Sequence, residues 1–167
     1  MRYMKLSGLQ RQELWESLSG MHEFLRQAFG LLTAEAACAA GPAGTFSPVE
    51  QVWHLADLEA EGFGLRIQRL LSESGPLLPD FEGAKIARQR NYLSLSLSAG
   101  LTAFHAARQA NIAALQSLST EDWSRGGVQE GVGPVSLCDM PELISQHDAA
   151  HRAEIDQWLQ PVGNAPS

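Results

Sequence analysis

Residues 143–159 read LISQHDAAHRAEIDQWL. Leu143, Ile144, His147, Ala150, His151, Ile155, Trp158 and Leu159 recur at steps of three and four, the repeat of one α-helical face. Within that inward stripe stand two histidines, His147 and His151, four positions apart and therefore one turn apart on the same side. This spacing lets two imidazoles share one metal ion. The plainer alternative is a pair of hydrogen-bonded core histidines. Side by side without a partner, however, each opposes protonation of the other and leaves ring nitrogens to satisfy.

Working outward, this helix starts between Ser136 and Asp139, where Asp139 and Glu142 offer a capping box, and ends near Gln160, ahead of Pro161 and Gly163. Another start signal lies in FSPVEQVWHLADLE, residues 46–59. Ser47 is placed as N-cap, Pro48 at the first helical position and Glu50 three residues after the cap. An apolar face then continues from Val49 to Leu71, and Gly75-Pro76 stops it. The first helix spans residues 10–40 up to Gly41-Pro42-Ala43-Gly44, and the third spans residues 98–118. LSLSLS, residues 93–98, alternates as a strand would, but a lone short strand has no partner, so it reads as the approach to the third helix. Residues 72–97 form a long connection with a short helix near 85–90, and residues 119–135 a Gly-rich loop. Four helices without strand pairs predict an all-α four-helix bundle with a long crossover between helices 2 and 3. One domain covers residues 1–162, with 163–167 as a disordered tail.

The 167-residue length suits one domain with a sizeable core. A net charge of -7 with no basic run argues against nucleic-acid binding. No apolar run approaches the roughly 20 residues of a membrane span, and MRYMKLSGLQRQELW lacks a signal-peptide core, so the expectation is a cytoplasmic protein. Cys38 and Cys138 are expected to be free, structural thiols. His54, two turns into the second helix, reaches a depth compatible with the His147–His151 pair. His22 and His105 border apolar stripes and read as rim residues, with His105 the reserve ligand.

Phe46 to Glu59 resembles the second-helix motif of the DinB-like (DinB/YfiT) superfamily. VSLCDMPELISQHDAAHRAEIDQWL (Val135 to Leu159) resembles its fourth-helix motif, and RQANIAALQSLSTEDWSRGG (Arg108 to Gly127) its third-helix end and turn. The resemblance implies a metal triad of one histidine from helix two and two from helix four, here His54, His147 and His151. It also implies the long crossover, frequent homodimers and, in some members, transfer of low-molecular-weight thiols. A DNA polymerase shares the name, but no polymerase function follows.

Three imidazoles with open positions describe a catalytic kind of site, suited to zinc or nickel first, able to activate a bound water or thiol or to polarise a carbonyl. The reading is therefore a divalent-metal-dependent enzyme of thiol S-transferase or hydrolase type acting on a small molecule. The alternative is a non-catalytic metal- or ligand-binding stress-response protein; a plain structural bundle is the third possibility. Asp57 and Glu61, at steps of three and seven from His54, are candidate ring or water partners, and Arg108 is a candidate for binding a substrate carboxylate. Trp53, Trp123 and Trp158 could wall a pocket, with core packing the default.

Overall fold

The computed structural model describes residues 2–160, so the expected boundary at 162 and the tail 163–167 lie outside the described residues. The first bundle helix, α1 (Gly8–Phe29), opens on a capping box in which Ser7 Oγ accepts from Gln10 N–H at 3.2 Å and Gln10 Oε1 accepts from Ser7 N–H at 2.9 Å. It stops at Gly30, ten residues short of the expected end. Leu32, whose spacing suggested continuation, packs part-buried on the core from beyond the helix end, while Leu31 beside it is fully exposed. Thr33 instead caps a separate short helix, α2 (Ala34–Ala37).

The second bundle helix is continuous but not uniform. It comprises α3 (Pro48–Asp57), a π-helical turn (Leu58–Gly64) and α4 (Leu65–Ser72). Ser47 and Pro48 start it as expected, with Glu50 Oε2 accepting from Ser47 N–H and Oγ–H at 3.0 and 2.8 Å. The wide turn has a local cause. Asn111 donates to the Glu59 carbonyl at 2.7 Å, claiming an acceptor that the α-helical ladder would otherwise use.

The crossover follows: β1 (Leu77–Leu78), α5 (Gly83–Gln89) and a 3₁₀ turn (Tyr92–Ser94), before α6 (Leu97–Gln116) begins on its Ser96 cap. The alternating LSLSLS run is thus the approach to the third bundle helix, as read. The 119–135 connection is more than a loop. It carries β2 (Gly126–Gln129), which turns into β3 (Gly133–Ser136), and the expectation of no strand pairs is corrected by a three-stranded sheet ordered β1-β2-β3. β1 pairs parallel to β2 with Leu77 opposite Val128, and β2 pairs antiparallel to β3 with Val128 opposite Pro134. Gly131 and Gly133, at φ 73° and 101°, make the reversal.

The fourth bundle helix is α7 (Met140–Leu159). Its entry is capped one turn earlier than predicted: Asp139 Oδ2 accepts from Ser136 N–H and Oγ–H at 2.9 and 2.7 Å, while Glu142 turns outward to Arg2 at 2.7 Å. α1 packs on α6 and α7, and α3 packs on α6. One apolar cluster gathers Leu18, Ile67, Leu70, Leu115 and Ile144, and another gathers Met21, Leu25, Val52, Leu55, Phe104 and Ile155. Such residues contribute about 1.5–3 kcal/mol each when fully buried. Among the described residues no helix is long and apolar enough to cross a membrane.

Candidate metal centre

Each of the three predicted histidines is brought inward by its helix. His54 sits near the end of α3, with His147 and His151 in the middle of α7. His54 and His151 are only 9% and 8% exposed, and His147 is half-buried. Ring centroids lie 5.5 Å apart for His54 and His147, 5.0 Å for His54 and His151, and 4.4 Å for His147 and His151. One ring nitrogen from each falls within 4.8 Å of the other two.

The nitrogens also have the right chemical state. Burial lowers the His54 and His151 imidazoles to about 4 and His147 to about 3, the charge of neighbouring rings adding to the effect at His54 and His147. All three are therefore neutral at pH 7 and keep a lone pair. His151 Nδ1–H donates to Gln51 Oε1 at 2.5 Å, which leaves Nε2 as the acceptor nitrogen, 3.2 Å from His147 Nε2. Gln51, 2% exposed, in turn donates from Nε2 to Glu154 at 2.7 Å. Glu154 and Gln51 thus orient one ring, as outer-shell groups do around metal-ligating histidines.

Two features fit this donor set to a cation. His54 Nδ1 is buried with no hydrogen-bond partner, and two neutral Nε2 atoms face one another at a separation where at most one proton can be shared. Gly83 of α5 completes the cradle. A Cβ there would lie 2.6 Å from His54 Nδ1, so only glycine lets the crossover close over this ring. Phe46 and Phe81 flank the same ring at centroid distances of 5.4 and 5.9 Å. On the open side lies a cleft of about 240 Å³ lined by His54, His147, Phe63, Arg66, Phe81 and Gln129.

The other predicted site residues go elsewhere. Asp57 accepts from Tyr92 Oη–H and pairs with Arg90 at 2.6 Å, and Glu61 pairs with the same guanidinium at 2.8 Å; both tie the crossover to the second helix. Arg108 is 1% exposed and closed within the bundle, bidentate to Asp148 at 2.7 and 2.8 Å and 2.8 Å from Glu59, so it offers nothing to a substrate. His105 packs against His22, with ring centroids 4.2 Å apart and planes tilted by 38°, outside the triad. Trp123 stacks on Tyr3, and Trp158 meets Phe29 edge-on, both as packing residues. Both cysteines are free, Cys38 exposed and Cys138 buried. Gln51 and Arg66 were missed. Gln51 is one turn before His54, a signal available from spacing, whereas Arg66 is brought to the cleft across the wide turn.

The family model of the DinB superfamily matches residues 17–155, most of the chain. Among solved structures, one from Bacillus subtilis superimposes with a TM-score of 0.82 at 19% identity, covering 92% of this chain and 88% of that one. That protein, YfiT, is described as a probable metal-dependent hydrolase with an unusual four-helix bundle topology. At this identity the likeness speaks to the fold. No curated protein matches.

Proposed function

The chain belongs to the DinB superfamily, and from that premise we propose that it is a divalent-metal-dependent enzyme acting on a small molecule, with His54, His147 and His151 as the metal ligands. The observation that carries this reading is the convergence of three neutral imidazoles, one with an orphaned buried nitrogen, beside an open cleft. A bound zinc or nickel ion would supply Lewis acidity toward a water, thiol or carbonyl. The chain's own contribution is positional: Gln51 and Glu154 hold the His151 ring and its tautomer, Gly83 lets α5 seal His54 from solvent, and the phenylalanines keep the surroundings apolar. The description of YfiT favours hydrolysis, and the family resemblance favours transfer of a low-molecular-weight thiol in a homodimeric, cytoplasmic protein; both reaction types use the same open site.

Elemental analysis of the purified protein, followed by zinc and nickel titration, tests the ligand set. Wild type takes up one ion per chain, and His54→Ala, His147→Ala and His151→Ala each lose it. Metal-free wild type that takes up none sinks the proposal. Turnover of metal-loaded protein on thiol–electrophile pairs and on small esters and amides separates transferase from hydrolase. A second reading, a non-catalytic metal-dependent binding protein of stress response, is favoured by one observation: Asp57, Glu61 and Glu154 are all engaged by other side chains rather than presented as a general base. Tight ligand binding without turnover would select it.

A further inference from the structure

Arg66 stands first among the cleft residues for which the fold has no use. It belongs to α4, two residues past the π-helical segment, and is 5% exposed. Burying a guanidinium is costly unless its charge and donors are matched. Here they are not. Among the described residues it forms no ion pair, its Nε has no hydrogen-bond partner, and its single acceptor is the Pro79 carbonyl at a long 3.4 Å. Its guanidinium carbon lies 5.6 Å from the Phe63 ring centre, which holds the group without neutralising it. Desolvation accordingly lowers its pKa, opposed by the charge of Asp80, a carboxylate that lines the same cleft without forming an ion pair to it.

The contrast with Arg108 gives this meaning. Arg108 is equally buried but meets two carboxylates and a backbone carbonyl, leaving only Nε unmatched. Arg66 lines the same cleft as His54 and His147, together with Gln129, a strand-borne amide that is 8% exposed and has a side chain free of other hydrogen bonds among the described residues. A buried, underpaired fork of N–H donors beside a metal site matches a carboxylate, phosphate or sulfonate bidentately. We propose that Arg66, assisted by Gln129, is the specificity determinant of the site and that the substrate is an anionic small molecule: one end reaches the histidine triad and its acidic group docks on the Arg66 guanidinium. This rests on the metal-site reading above.

The test uses cobalt(II)-loaded full-length protein at pH 7 and thiol probes followed by the thiolate-to-cobalt absorption band. 2-Mercaptoacetate, 3-mercaptopropionate and 4-mercaptobutyrate are each compared with their uncharged amides. For the chain length that spans the distance, wild type binds the acid at least about 10-fold more tightly than the amide. Arg66→Gln brings the two within about 3-fold while cobalt affinity and amide binding stay unchanged. If that variant does not fold, Arg66→Met, which keeps the aliphatic stem, replaces it. Equal affinity for acid and amide at every length in wild type, or a preference that survives loss of the guanidinium, overturns the Arg66 assignment with the metal site intact. Failure of wild type to bind cobalt removes the metal-site reading itself, and the substrate assignment with it.

Discussion

Two polar clusters are buried in this bundle, and they are built on opposite principles. Around Arg108, four of five guanidinium donors are matched by Asp148, Glu59 and the Leu18 carbonyl, and Asn111 completes Glu59 at 2.8 Å. Around His54, His147 and His151, one ring nitrogen from each lies within 4.8 Å of the other two, and Nδ1 of His54 has no partner. Both clusters draw on the second and fourth bundle helices. The first closes on itself and holds helices together; the second stays unsatisfied toward a cleft. Buried polarity that balances internally is architecture, and buried polarity that does not balance marks a place for something else.

The comparison predicts unequal responses to mutation. Arg108→Met strands two buried carboxylates and should cost about 3–5 kcal/mol of unfolding free energy in urea melts. A loss under 1 kcal/mol would mean the network is not structural. At zinc concentrations 100 times Kd, wild type should gain about 2.7 kcal/mol, whereas His147→Ala should gain none; equal stabilisation of both would erase the distinction between the clusters. Gln51→Leu leaves the ligands in place but frees the His151 ring, so zinc affinity should fall about 10–100-fold with metal-free stability little altered. Unchanged affinity would show that the ring is held by packing alone. Least affected is the surface: Arg90→Gln breaks its pairs with Asp57 and Glu61 and should cost at most about 1 kcal/mol, with zinc affinity untouched. A drop in zinc affinity there would restore Asp57 to the metal centre.

Much of this was legible in the sequence, for reasons that differ by residue. His147 and His151 sit in a stripe whose period is local and unambiguous, and Ser47-Pro48 announces its helix through capping chemistry that needs no tertiary context. The partnership of His54 with that pair depends on how helices pack, and it came from family resemblance rather than from spacing. The sheet was invisible because β1 has two residues and β2 and β3 are rich in Gly and Pro, so their pairing is a long-range property. The break after Phe29 was obscured by Leu32, which keeps the apolar spacing and packs on the core although the helix has ended. Arg108 read as a substrate group because one sequence cannot show that Asp148 and Glu59 would surround it.

The π-helical turn between Leu58 and Gly64 bears on how His54 and Arg66 come to look the same way. They are twelve positions apart, and at about 100° per residue a uniform α-helix would splay them by roughly 120°. A turn that absorbs one extra residue reduces the offset to about 20°. The widened turn therefore acts as a phase corrector, keeping the upper and lower halves of the helix in step. A one-residue deletion between 58 and 64 would leave the pair aligned in an ordinary helix, whereas straightening the turn at full length would swing Arg66 out of the cleft.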